Sequence, residues 1–183
     1  DIYTKFDRDE FCWRNLCYTN RQRKILNAYC MDMACDEGGS GENVVLDCSA
    51  GAAEDQPVVL MVGTPLIAKK CEKVKYHVLK NETFQITAFG FEGQERIDQQ
   101  DGGGGSVTVN VSDFQALFHV AYAITVHRSQ SSSFDFPYAI YEYGRMSKNL
   151  RYTALTRTTK KEYVHLNKLP SAIYDYYKEL LGL

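Results

Sequence analysis

Two short polar runs in the last third of the chain hold the side chains best suited to chemistry. Thr125, His127, Ser129 and Gln130 fall in Ile124-Thr125-Val126-His127-Arg128-Ser129-Gln130, and Arg157 closes Arg151-Tyr152-Thr153-Ala154-Leu155-Thr156-Arg157. In each, the polar residues adjoin an apolar, strand-like run. A buried strand ending in Thr-x-His-x-Ser-Gln delivers a hydroxyl, an imidazole and an amide to one edge of a sheet. Ligands of open α/β sheets sit in the crevice at the carboxyl ends of the strands. An arginine held near that edge suits a phosphate, because its planar fork is always charged and binds two oxygens at once. Taken singly, the plainer readings are a solvated or ion-paired arginine and a histidine satisfied inside the structure. A stand-alone hydrolase using His127 with Ser129 fits poorly, since nothing in the sequence identifies an orienting acid or an oxyanion hole.

The elements that must position these residues read as follows. Phe136-Pro137-Tyr138-Ala139-Ile140-Tyr141 is rich in β formers, and Pro137 fits a strand beginning just after it. Tyr163-Val164-His165-Leu166 adds a further apolar run. Near the start, Asn15-Leu16-Cys17-Tyr18-Thr19 reads as a short buried strand after an irregular lead-in over residues 1–14. Asn20 is a candidate helix N-cap. Residues 21–34 follow with Ile25, Leu26, Tyr29 and Met33 at helical spacing. Strand, cap and helix make one α/β unit. The chain closes with a break at Leu169-Pro170-Ser171 and a helix over residues 172–181.

The middle has a different texture. Residues 58–62 and 66–68 are β-rich around the turn Gly63-Thr64-Pro65, and Phe84-Gln85-Ile86-Thr87-Ala88-Phe89 alternates with period two after a turn-like Lys80-Asn81-Glu82-Thr83. Short strands with polar turns suggest a small β-barrel. Lys69, Lys70, Lys73 and Lys75 form a basic cluster within it, a solvated face or a grip for an anionic partner. Residues 107–111 read as the next strand, and residues 112–119 as a helix or loop leading to Thr125. Gly-rich stretches at 38–41 and 102–106 read as flexible linkers, natural loops or replacements for longer ones. They bound the expected parts: 1–37 as the first part of an α/β lobe, 42–101 as the β insert, and 107–183 as the rest of the lobe.

Composition narrows the function classes. The 183 residues are 44% hydrophobic, enough for a real core, and the net charge of −2 argues against a long basic nucleic-acid face. A narrow single-strand groove built on stacking and a few contacts stays open, and 13 Tyr and 9 Phe can supply it. Six cysteines (Cys12, Cys17, Cys30, Cys35, Cys48 and Cys71) lack a disulfide framework or a zinc spacing. The expectation is therefore a reducing, intracellular compartment with no metal site. There is no signal-peptide pattern and no apolar run of membrane-spanning length, so no membrane partner is expected.

The two polar runs, in this order and with an aromatic-Pro-Tyr segment between them, resemble motifs V and VI of superfamily 1 helicases. The likeness is to the RecD-like branch, and most of all to the helicases of large DNA viruses. The run Cys17-Tyr18-Thr19-Asn20-Arg21-Gln22-Arg23-Lys24-Ile25-Leu26-Asn27 is similar to a further segment of that branch, where the Thr-Asn turn faces the bound strand. The resemblance implies the second RecA-like lobe, a parallel sheet flanked by helices, carrying a small SH3-type β-barrel insert that guides or grips nucleic acid. It implies single-stranded DNA contacts for Thr19, Asn20, Thr125, His127 and Ser129, nucleotide contacts for Gln130 and Ser133, and an arginine finger for Arg157. A preplaced guanidinium would stabilise charge developing on the transferred phosphoryl group, worth on the order of a thousandfold in rate.

Ser131 stands where the family commonly has Gly, and Ser133 where it has an acidic residue or Thr. The chain contains no Gly-x-x-x-x-Gly-Lys-Ser/Thr phosphate loop. ATP and Mg2+ are therefore expected as cofactors of a full-length protein whose N-terminal RecA-like lobe supplies the nucleotide cradle. This stretch alone is expected to hold neither and not to turn over ATP. Other replication proteins are possible partners, and the expected site is that of DNA replication, a viral factory or nucleus if the protein is viral. The alternative is a non-catalytic nucleic-acid-binding or protein-docking module that retains the fold.

Overall fold

The computed structural model describes residues 14–37, 43–46, 56–90, 94–99, 106–130 and 132–183. The lead-in before Arg14, most of both Gly-rich stretches and Ser131 lie outside the described residues. In chain order the elements are β1 (Asn15–Cys17), α1 (Asn20–Glu37), β2 (Asn43–Leu46), β3 (Val58–Met61), β4 (Pro65–Ala68), β5 (Thr83–Phe89), β6 (Gln94–Gln99), β7 (Ser106–Asn110), α2 (Val111–Leu117) and β8 (Phe118–Val120). They continue with β9 (Ala123–Thr125), β10 (Tyr138–Ile140), α3 (Lys148–Leu155), β11 (Val164–Leu166) and α4 (Ser171–Leu180), and short 3-10 turns occur at Tyr143–Arg145 and Lys161–Tyr163. The chain divides into two compact units, one comprising residues up to Cys30 together with Tyr122–Leu183, the other Met31–Ala121.

The first unit is built on a four-stranded, wholly parallel sheet in the order β11-β10-β1-β9. Leu16 on central β1 faces Ile140 on one side and Ile124 on the other. β1, β9 and β10 are buried at every position, as expected of parallel strands covered on both faces. Leu16, Cys17, Ala139 and Ile140 are fully inaccessible. Such strands are short apolar runs, which is why the sequence marks them. Asn27, at 1% exposure on α1, closes the outer edge of β9. Its Nδ2 donates to the Ala123 carbonyl at 3.0 Å, and its Oδ1 accepts from the Ala123 N–H at 2.8 Å. Architecture and strand direction match the expected RecA-like α/β lobe.

Two local expectations change. The N-cap of α1 is Thr19, because Thr19 Oγ1 accepts from the Gln22 N–H at 3.2 Å and its carbonyl accepts from the Arg23 N–H at 3.1 Å. Asn20 is the first helical residue instead, with Oδ1 accepting from Arg23 Nε at 3.3 Å. The run before Arg157 is a helix rather than strand-like. Ser147 caps it by accepting from the Leu150 N–H, and Leu150 and Ala154, four apart, supply its buried stripe.

The second unit is antiparallel. Five strands run β7-β6-β5-β4-β8, and β2 and β3 form a separate hairpin-like pair. β5 alternates as the sequence suggests, with Phe84 and Ile86 inside and Thr87 outside. A register shift between Ile86 and Ala88 bends it. β7 and β8 hydrogen-bond into this antiparallel sheet, so the lobe resumes at Tyr122 instead of residue 107. Ladder pairing, which local pattern does not encode, places that boundary. Of the lysine cluster, Lys75 pairs with Asp113 at 2.6 Å and Lys69 Nζ donates to the Gln115 carbonyl, while Lys70 and Lys73 are exposed.

Candidate functional site

Register brings the polar turns together. Cys17 pairs with Thr125 across β1 and β9, and the Val126 N–H donates to the Cys17 carbonyl at 3.0 Å. The chain therefore leaves both strands at the same level of the carboxyl edge. After β1 comes the Tyr18-Thr19-Asn20 turn, and after β9 comes the turn carrying His127. That second turn is tight. The Arg128 and Ser129 N–H groups donate back to the Thr125 carbonyl, the Ser132 N–H donates to Ser129, and Ser129 Oγ donates to the Val126 carbonyl at 2.8 Å. His127, Gln130 and Ser133 are exposed. Thr125 is 8% accessible and Ser129 fully buried. Ser129 thus holds the turn with its hydroxyl facing inward, a different place from the outward strand contact that the resemblance implies.

Arg157 joins this turn to α3. Its Nε donates to the Thr153 carbonyl at 2.8 Å, and Nη1 donates to the carbonyls of Ser129 at 3.0 Å and Ser132 at 3.1 Å. Among the described residues, Nη2 reaches Thr156 Oγ1 alone, at 3.4 Å. The Arg157 carbonyl in turn accepts from the Phe134 N–H at 2.6 Å. Phe134 stacks on Phe136 and meets Tyr138 edge-on, and the Tyr138 hydroxyl donates to the Ala154 carbonyl at 2.8 Å. The two polar runs therefore meet through one guanidinium. Its rigid support is the aromatic-Pro-Tyr segment between them.

Sequence reasoning missed Glu142, which organises the other turn. Its carboxylate accepts from the N–H groups of Tyr18 at 3.2 Å and Thr19 at 2.8 Å, from Thr19 Oγ1 at 3.0 Å, and from Arg145 Nη1 at 2.7 Å. A carboxylate at a helix N-terminus satisfies otherwise unpaired donors and complements the helix dipole. These bonds offset the roughly 1–2 kcal/mol that a left-handed conformation costs a residue with a Cβ, since Glu142 sits at φ 57°. The one local signal was its place directly after an apolar strand. Beneath the edge, burial pushes the Cys17 thiol far above its usual range, making it an inert core group whose Sγ donates to the Ile124 carbonyl.

A cleft of about 480 Å³ opens at the same edge, past the ends of β10 and β11. Its wall includes Gln22 from α1, Tyr143 and Arg145 from the turn after β10, and Asn167 and Tyr174 near α4.

No family model matches this chain, and no curated protein matches it. Solved structures do. The chain is similar to Pif1 helicases captured coordinating on forked double-stranded DNA, with a TM-score of 0.61 at 15% identity over 96% of this chain and 45% of theirs. Pif1 from Bacteroides bound to single-stranded DNA gives 0.61 at 15% identity, covering 97% and 47%. Pif1 from Candida albicans gives 0.60 at 11% identity, covering 98% and 52%. At these identities the shared property is the fold, and this chain spans about half the length of the structures it matches.

Proposed function

We propose that this chain is the second motor lobe of an ATP-dependent superfamily 1 DNA helicase or translocase. The observation that carries the reading is the Arg157 guanidinium, seated between α3 and the His127 turn. One side chain there can sense both nucleotide and strand. Arg157 is the finger for the transferred phosphoryl group, and Nη2, its least engaged nitrogen, is the edge offered to phosphate oxygens. A phosphate drawn to Nη2 would pull on the guanidinium whose Nη1 holds the Ser129 and Ser132 carbonyls, so nucleotide state would be transmitted to the turn bearing His127. Thr19, Asn20, Thr125 and His127 meet the single strand, with Ser129 fixing the turn that presents His127. Gln130 and Ser133, both exposed, face the nucleotide.

The described residues offer ATP a guanidinium and polar side chains. The phosphate cradle and the carboxylates for Mg2+ belong to the N-terminal RecA-like lobe, so this chain by itself does not turn over ATP. The β-rich unit is an SH3-type barrel, a reading supported by its bent β5, and it guides the strand with Lys70 and Lys73. The fold shared with Pif1 structures supports the same assignment.

The test is single-strand binding and ATP turnover by the complete polypeptide, wild type against Arg157→Ala. A fall in turnover on the order of a thousandfold with strand affinity retained is the expected result. One specific observation favours a second reading, a non-catalytic module: three of the carbonyls around Arg157 are already bonded to it, as in a purely structural clasp. Unchanged turnover in the variant, accompanied by a lowered melting temperature, would establish that reading instead.

A further inference from the structure

The cleft past the ends of β10 and β11 has features that the strand contacts above do not use. Gln22 is only 6% exposed, lies on the cleft wall, and among the described residues its side-chain amide makes no hydrogen bond. Gln22 is not among the side-chain groups buried without a partner, so its amide opens to the cleft, where a polar ligand can take up its hydrogen bonds. Asn167 supplies a second amide, oriented by donating from Nδ2 to the Tyr141 hydroxyl at 3.3 Å and accepting at Oδ1 from the Lys168 N–H. Two half-buried rings complete the lining. The Arg151 guanidinium backs Tyr143 at 5.1 Å, and Tyr174 projects from the first turn of α4.

Charge decides the class of ligand. Arg145 is paired with Glu142, and Lys168 is balanced by Asp175 on the same wall. With no excess of cations, the cleft does not select a bare phosphate. Two aromatic faces and two amides suit a flat, uncharged group with hydrogen-bonding edges, and about 480 Å³ is within the range of small-molecule sites. Glu142 and Gln22 belong both to the Thr19 turn and to the cleft wall. A strand held at that turn therefore has the cleft directly beside it.

We propose that this cleft receives one nucleobase of the bound single strand, stacked on Tyr174 and Tyr143 and read along its edge by Gln22 and Asn167. The proposal rests on the strand-binding reading above. It adds a subsite at which a base, rather than the backbone, is held. Sequence tolerance follows from the stacking, which any base can make.

The experiment titrates the 183-residue chain with an oligothymidylate carrying 2-aminopurine at successive positions, and in parallel with one carrying a single abasic site. One position should show quenching. An abasic site there and Tyr174→Ala should each weaken binding by about five- to a hundredfold, and the two together should weaken it no further than either alone. Tyr174→Phe, which keeps the ring, should bind as the wild type does and so separates stacking from folding damage. Uniform fluorescence along the strand, or full affinity in Tyr174→Ala, overturns the base pocket while leaving the strand-binding reading intact. Absence of any strand binding by the wild type overturns both.

Discussion

The parallel and antiparallel units solve the burial problem in opposite ways. In the parallel sheet, β1, β9 and β10 are buried at every position, and the exposed polar residues His127, Gln130 and Ser133 follow the carboxyl end of β9. In the antiparallel unit, β5 and β7 present one side outward, and polar residues sit along the strands themselves. A sheet covered on both faces concentrates its chemistry at one edge, whereas a one-sided sheet spreads polar groups over a surface. Thr19, Asn20, Thr125, His127 and Arg157 follow this division and belong to the parallel unit, whereas Lys70 and Lys73 lie on the surface of the antiparallel one.

The contrast can be broken by substitution. The largest expected effect on stability is Leu16→Ala on β1, which should cost about 3–5 kcal/mol by emptying the centre of the parallel sheet. Thr87→Ala on the outward side of β5 should stay within about 0.5 kcal/mol. Denaturant unfolding of both variants checks the pair, and equal losses would erase the distinction between the sheets. Next comes Asn27→Ala, which strips both partners from Ala123 on the edge of β9. A loss of roughly 2–4 kcal/mol is expected, with faster hydrogen exchange at Ala123. A variant as stable as wild type would mean that the edge of β9 finds other partners.

The smallest effect concerns the antiparallel unit. Hydrogen bonds from Lys75 and from the Tyr76 hydroxyl hold the Asp113 carboxyl below its ordinary range. A depressed carboxylate contributes stability that is present above its unfolded value and lost as pH falls through the folded one. Because the pair is exposed, the change should be slight. Comparing melting temperatures of wild type and Asp113→Asn between neutral and acidic pH measures it. The wild type's advantage should shrink on acidification, and an advantage that grows would reverse the assignment.

Much of the fold was legible in the sequence because its signals are local. The apolar run at β1, the break at Pro137 before β10, and the alternation in β5 are each set by neighbours a few residues apart. The helix before Arg157 was misread as strand-like because Tyr152 and Thr153 favour strands intrinsically. A Ser147 cap and the Leu150–Ala154 stripe override that preference. The start of the lobe after the insert was misplaced for a related reason. β7 has the pattern of any half-buried strand, and its partner β6 is what assigns it to the antiparallel sheet.

Sequence alone determined that Thr125 and His127 would lie at the end of an apolar strand, since runs of β formers locate strand ends, and that Arg157 would follow an apolar run whose helical form it did not show. Tertiary structure decided what those residues do to one another. Arg157 reaches carbonyls 25 and 28 positions away. Glu142 caps a helix 123 residues before it in the chain. Asn27 seals a strand 96 residues beyond it. Gln22 was an ordinary helix residue until β10, β11 and α4 built a cleft around it. Hydrogen bonds of this kind form between groups that only chain folding brings within 3 Å or so of each other. No periodicity in the residues between them encodes the contact.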